Sequence, residues 1–201
     1  MKIYLVRHGY PEGNTERKRY LGITDEALSD EGMRQADSIG SKIASETGHR
    51  SVRIVSSPLI RCFETAMVIK NHVICGFVET DPDLREINMG KWDGRYFDEI
   101  KAEFPDEFEA RGRDLWNYRV PEGESFAETG ERFRKVFDNL TRWAAKDDVI
   151  IMVSHAGAIR AGMSLITGTP FENWMKRKIA YAGCISLEIN KDREIVEITE
   201  E

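Results

Sequence analysis

The sequence predicts an α/β fold, a three-layer α/β/α sandwich around a mostly parallel central sheet, with a helical insertion. Three observations carry this prediction. Short apolar runs at 3–6, 52–55 and 149–153 each end in a small polar cluster: Arg7-His8-Gly9, Ser56-Ser57-Pro58 and Ser154-His155-Ala156-Gly157. Continuous β-branched runs of this length read as strands buried on both faces, the parallel-sheet kind. Helical patterns follow the first two runs, so strand and helix alternate. The tail alternates Ile185, Leu187 and Ile189, turns at Asn190-Lys191-Asp192 and becomes apolar again at 195–198, a hairpin that would close one edge.

In chain order, the first helix has Ser29 as its N-cap and Asp30 and Glu31 in its positive first turn. Met33, Ala36, Ile39 and Ile43 form its apolar face, and Gly48 marks its end. A second helix is expected to start with Ser57 as N-cap and Pro58 in the first turn, where a missing N–H costs nothing; Arg61 falls in that turn. Residues from about 80 to 147 break the rhythm with Pro82, Pro105 and Pro121, charge-rich helical stretches, and a longer helix pattern from Ser125 through Phe133, Val136, Phe137 and Leu140. This segment reads as a helical insertion beside or over the sheet. At 201 residues the chain is expected to form a single domain over 1–201.

The composition, 41% hydrophobic and 32% charged, is that of a soluble globular protein. No apolar run approaches the ~20 residues that span a bilayer, and the N-terminal apolar stretch is too short for a signal peptide, so a cytoplasmic location with no membrane partner is expected. With 29 Lys and Arg against 35 Asp and Glu, the net charge of −6 argues against nucleic acid as a partner. Trp92, Trp116, Trp143 and Trp174 therefore read as packing residues rather than a base-stacking platform. Cys62, Cys75 and Cys184 form no C-x-x-C pair and have no histidine beside them in sequence, which suits reduced, buried thiols. An anionic ligand would need a local cluster of arginine and histidine.

Of four histidines, His49 and His72 have no glycine or arginine company and read as surface or helix-end residues, whereas His8 and His155 sit just past predicted core strands. Open α/β sheets bind ligands beyond the carboxyl ends of their strands. Arg7 abuts His8, and Arg61 starts the helix launched from the second strand, so three distant strand ends deliver cations to one edge. Two imidazoles flanked by two guanidiniums suit a phosphoryl group, whose oxygens the arginine forks would hold. His8 would attack phosphorus in line, its basic surroundings depressing its pKa. A departing alkoxide needs a proton. Glu86, in the glycine-punctuated loop from 84 to 94, is the preferred carboxyl, with Glu79, Asp81, Asp83 and Asp93 as alternatives. A zinc site from His8, His155 and Glu86 would set two arginines against a dication, and no H-E-x-x-H spacing is present. Neither a Walker A nor a G-x-G-x-x-G pattern follows any strand.

These blocks, in order, resemble the histidine phosphatase (phosphoglycerate mutase-like) superfamily. Arg7-His8-Gly9 with Asn14 five residues on is similar to its signature. Later blocks run over 22–32 with Gln35-Ala36, then Ser56-Ser57-Pro58-Leu59-Ile60-Arg61 with Glu64-Thr65-Ala66, the Glu86 loop, and Val153-Ser154-His155-Ala156-Gly157. The resemblance implies a nucleophilic His8, phosphate binding by Arg7, Arg61 and His155, acid/base work by Glu86, and neither metal nor cofactor. It also implies phosphate contacts from Asn14 and the backbone N–H of Ala156. Tyr10 and Leu21 depart from the mutase pattern, whereas Pro121-Glu122-Gly123-Glu124-Ser125 resembles a stretch of the phosphatase branch that includes α-ribazole phosphatase-like and broad-specificity members. A metal-independent phosphomonoesterase acting on a small phosphate ester is the expectation, with a phosphoglycerate mutase-type transfer or a non-catalytic phospholigand-binding protein as alternatives. The oligomeric state stays open.

Overall fold

The apolar runs at 3–6, 52–55 and 149–153 fold as the strands β1 (Lys2–Arg7), β2 (Val52–Ser56) and β4 (Val149–Ser154), joined by a three-residue strand β3 (Val78–Thr80) and by the tail hairpin β5 (Cys184–Ile189) and β6 (Ile195–Glu200). The structure is a computed structural model that describes residues 1–13, 17–142 and 144–200; Asn14 and Trp143 lie outside the described residues. The six strands form one sheet in the order β3-β2-β4-β1-β5-β6. The first four in that order run parallel, β5 runs antiparallel to β1, and β6 runs antiparallel to β5. The tail hairpin thus closes one edge, as its alternation requires.

Helices cover both faces, because successive residues of the inner strands alternate between the two sides and most of them are apolar. On one face Ile3, Leu5, Ile150 and Met152 pack against Phe133, Val136 and Phe137 of α5 (Phe126–Arg142) and Ala158, Ile159 and Met163 of α6 (Ala156–Thr167). On the other, Tyr4, Val6, Ile151 and Val153 meet Ile39 and Ile43 of α1 (Asp30–Thr47) and Cys62, Ala66 and Ile69 of α2 (Ile60–Lys70). The segment between β3 and β4 adds 3-10 turns at Pro82–Leu84 and Gly90–Trp92, then α3 (Phe97–Glu103), α4 (Pro105–Arg113) and α5. Trp92, Ile100 and Phe126 from this segment, with Phe171 of α7 (Phe171–Met175), form a third apolar cluster.

Ser29 caps α1 by accepting from the Gly32 N–H, and Gly48, at φ 59°, ends it. Two expectations are corrected. Met33 is 42% exposed, and the buried face of α1 runs through Gly32, Ala36, Ile39, Gly40 and Ile43. The face is turned by one residue because Gly32 packs against the backbone after β1, where a Cβ would lie 2.2 Å from the Tyr10 carbonyl oxygen. The second helix starts at Ile60, not at Pro58. Ser57 does not cap it: the Ser57 N–H extends the sheet ladder to the Val153 carbonyl at 2.9 Å, and its hydroxyl lies 2.9 Å from His155 Nε2. Among the described residues no helix is long and apolar enough to cross a membrane.

Candidate active site

Register places the chemistry. Arg7 pairs with Ser154 and Ser56 with Val153, so the residues that follow, His8, His155 and Ser57, leave three adjacent strands side by side. The His8 and His155 ring centroids are 5.1 Å apart at an interplanar angle of 61°, close to the ~4.8 Å spacing of neighbouring strands. Both rings are buried. His8 Nδ1 lies 2.8 Å from the Gly9 carbonyl oxygen. A carbonyl only accepts, so Nδ1 carries the proton and the lone pair of the neutral ring sits on Nε2. Gly9 is itself fixed, donating its N–H to Thr65 Oγ1 at 3.1 Å while that hydroxyl donates to the Arg61 carbonyl at 2.7 Å. Burial first, then the charges of Arg61 and Arg7, hold the His8 pKa well below the ordinary histidine range. Burial and Arg61 do the same for His155.

Arg61 is completely buried in the first turn of α2, its Nη1 donating to the Thr24 carbonyl and Nη2 to the Gly22 carbonyl, both at 2.7 Å. Arg7 donates from Nη1 to the Ile179 carbonyl at 2.8 Å, and its guanidinium carbon lies 3.7 Å from the centroid of the Tyr181 ring. The Nε of each arginine is buried and meets no acceptor among the described residues. Neither forms an ion pair there.

The carboxylates near this cluster sort themselves by occupation. Glu79 pairs with Arg53 at 2.7 Å, Asp81 caps the 3-10 turn through the Asp83 N–H at 2.8 Å, and Asp83 faces Lys135 at 3.4 Å. Asp93 grips the loop beneath Arg61, accepting from the Ile23 N–H at 2.7 Å and Thr24 Oγ1 at 2.8 Å. Glu86 alone of the five is coupled electrostatically to Arg7. Its Oε2 accepts from the Gly157 N–H at 3.0 Å and its Oε1 from the N–H groups of Ala158 at 2.9 Å and Ile87 at 3.0 Å. The carboxylate therefore sits over the first turn of α6, where N–H groups point at an anion; Ala156 is the first residue of that turn. A Cβ at 157 would lie 2.5 Å from Glu86 Oε1, so any larger residue there would push the carboxylate from its place.

Five of the sequence-derived residues, Arg7, His8, Arg61, Glu86 and His155, thus gather beyond the carboxyl ends of the parallel strands, with Ala156 opening the adjacent helix. Residues that hold them were missed. Arg132 of α5 donates to the carbonyls of Asp83, Arg85 and Glu86 at 2.8, 2.6 and 2.9 Å and pairs with Glu124 at 3.0 Å, clamping the loop that carries Glu86. Ser57, Thr65 and Glu124 all stand inside quoted motif blocks, which was the available signal; Arg132 and Tyr181 carried none. Cys62 Sγ lies 3.3 Å from His155 Nε2, a contact across 93 residues, and burial pushes its thiol pKa far up, so it is no thiolate. His72 pairs with Asp37 at 2.8 Å and His49 is exposed. Among the described residues no group of three or more His, Cys, Asp or Glu is placed to hold a metal ion.

The family model of the histidine phosphatase superfamily, branch 1, matches residues 3–200. The chain belongs to that superfamily. The histidine phosphatases similar to it include two proteins named "Probable phosphoglycerate mutase GpmB". That of Erwinia tasmaniensis is 34% identical over 170 residues, 85% of this chain and 76% of the relative. That of Yersinia pestis is 33% identical over 171 residues, with the same shares. Solved histidine phosphatase folds superpose over the whole chain. A mycobacterial glucosyl-3-phosphoglycerate phosphatase solved with VO3 gives a TM-score of 0.82 at 24% identity, with 96% of that chain covered. The α-ribazole phosphatase of Shigella flexneri gives 0.83 at 21% identity, again with 96% covered. At these identities the likeness is one of fold.

Proposed function

We propose that this histidine phosphatase is a metal-independent phosphomonoesterase that hydrolyses a small, soluble phosphate ester through a phosphohistidine at His8. The observation that carries the reading is a cationic cluster without an ion pair among the described residues: neither Arg7 nor the fully buried Arg61 forms one, and each keeps a buried Nε donor with no acceptor there. Buried charge is costly unless paired, and a dianionic phosphoryl group would pair it. Arg7, Arg61 and His155 would hold its oxygens, with Asn14 and the Ala156 N–H as further contacts implied by family membership. His8 Nε2 would attack phosphorus as the ester oxygen leaves. Glu86 would give that oxygen its proton, then take one from the water that cleaves the N–P bond, returning His8 to its neutral form. A carboxylate has about four lone-pair directions; three backbone N–H groups take three at Glu86, and one is left for the proton.

The purified protein is expected to hydrolyse p-nitrophenyl phosphate in excess EDTA, and His8→Ala to lower kcat by at least 10³-fold. Wild-type rates in His8→Ala, or no acid-labile N–P adduct after rapid alkaline quench of the native enzyme with a substrate it turns over, would remove the reading. Relatives named as phosphoglycerate mutases favour a second one, in which the phosphoenzyme returns its group to the product instead of water. Conversion of 3-phosphoglycerate to the 2-isomer, with a bisphosphoglycerate primer and faster than phosphate release, would decide for it. Binding of phosphate esters with no turnover across a broad panel would instead point to a non-catalytic protein.

A further inference from the structure

Two aromatic rings beside the cationic cluster have no part in the chemistry above. Tyr181 stands in the turn that leads into β5, where the ladder between β1 and β5 runs on past the strands: the Arg7 N–H donates to the Gly183 carbonyl and the Ala182 N–H to the His8 carbonyl, both at 3.0 Å. Tyr181 is thereby tied to the backbone of the nucleophile. Its ring centroid lies 5.7 Å from that of His8 and 3.7 Å from the guanidinium carbon of Arg7. Ala182, the next residue, is held at φ 52°, a left-handed conformation that a residue with a Cβ adopts at a cost and keeps only where its surroundings fix it. Tyr10, which departs from the mutase pattern, is equally fixed. Its N–H donates to Gln35 Oε1 at 2.9 Å, and its carbonyl accepts from the N–H and the hydroxyl of Ser29, both at 2.9 Å. The Tyr10 and Tyr181 ring centroids are 5.0 Å apart at an interplanar angle of 70°. Both side chains are half-exposed.

Two rings set nearly at right angles, each anchored through its backbone, form a rigid aromatic corner beside His8. Covering Arg7 accounts for one face of Tyr181 and leaves Tyr10 without a role. Tyrosine rings on fixed backbone offer contact area at low entropic cost. A planar ring gains from such a corner twice, by stacking on one tyrosine and meeting the other edge to face, whereas a saturated ring has no quadrupole to match. The phosphoryl group is met by charge, so what these rings would meet is the rest of the ester. We propose that Tyr10 and Tyr181 form a subsite for a planar ring, aromatic or heteroaromatic, on the leaving alcohol, and so select esters that carry such a ring close to the ester oxygen. This deepens the phosphomonoesterase reading and rests on it.

Benzyl phosphate and cyclohexylmethyl phosphate test it, since both place a six-membered ring one carbon from the ester oxygen, on alcohols of similar acidity, and only one of the rings is planar. The wild-type kcat/KM is expected to favour benzyl phosphate by at least about fivefold. A smaller ratio overturns the proposal without any variant. Tyr181→Leu and Tyr10→Leu keep an apolar side chain without the ring; a fall of the ratio by threefold or more in either supports the subsite and names the ring that stacks. Tyr10→Leu leaves the contact between Tyr181 and Arg7 in place, so it reads the corner even where Tyr181→Leu fails to fold. A fall of less than threefold in every leucine variant that folds overturns the proposal, and an equal loss on both esters in Tyr181→Leu would then mean that this ring only covers Arg7. Tyr181→Phe and Tyr10→Phe are expected to hold the ratio within twofold; a ratio lost there as fully as in the leucine variants would assign the selection to the hydroxyls and overturn the stacking. His8→Ala separates the two readings. If it keeps turnover of p-nitrophenyl phosphate, the phosphohistidine reading falls; if it loses turnover while the wild-type ratio is below fivefold, only the aromatic subsite falls.

Discussion

Arg132 shows how much of this pocket is held by a residue that would never touch a substrate. Its guanidinium joins α5 to three carbonyls of the Glu86 loop and to Glu124, and Glu124 in turn accepts from the Asn88 N–H at 2.9 Å. Both partners of the pair are mostly buried, at 13% and 26% exposure, so the pair is more than a screened surface contact. Arg132→Met keeps the alkyl stem but leaves Glu124 and three carbonyls without their donor. It is expected to lower stability by about 2 kcal/mol in urea unfolding. Because the loop that aims Glu86 loosens, kcat should fall more than KM rises; a variant with lower stability and unaltered kcat would show that the clamp is structural only. The same scale explains a gap in what sequence alone reveals. An arginine on an amphipathic helix looks the same whether it points to water or reaches back to residue 86, because the partner is 46 positions away.

Among the elements, α5 and α6 decide the geometry of the pocket's floor. They pack so closely that a Cβ on Gly162 would lie 2.1 Å from Phe133 Cδ1, and one on Gly130 would lie 2.9 Å from the Ala161 carbonyl oxygen. Phe133 is fully buried at this crossing. Gly162→Ala should therefore destabilise by about 1–3 kcal/mol through overpacking. Since the obstacle is one side chain, Phe133→Leu in the same molecule should recover part of that loss, a non-additivity that a double-mutant cycle in urea reads directly. Strict additivity would mean that the helices separate instead of sharing one contact. The existence of α1 and α5 and the apolar face of α5 were readable from periodicity, whereas the face of α1 was turned by one residue at Met33. The start of α2 was not, because Ser57 and Pro58 carry a helix-start signal that the sheet edge and His155 override.

For the whole molecule, the burial of two uncharged imidazoles has a thermodynamic consequence. His8 and His155 both have native pKa values well below the ordinary value near 6.5, so between the two the unfolded chain binds more protons than the native one. Their contribution to stability is complete above about pH 6.5 and is lost progressively as pH falls towards the native values. Thermal unfolding should show the melting temperature dropping as pH decreases below 6.5, with a shallower slope in His8→Ala; an unchanged slope would show that other groups carry it. The three inner parallel strands, the hairpin, the place of His8 and His155 just past their strands and the order of the family blocks were legible along the chain, since apolar periodicity, turn chemistry and motif spacing are properties of near neighbours; the short β3 was not. Where the Glu86 carboxylate is held, what Ser57 and Thr65 bind, and where Arg132 reaches were settled only by folding. The decisive contacts reach up to 98 positions along the chain or turn on the register of β1 against β4 and on the depth at which α5 and α6 interlock, and no local pattern encodes either.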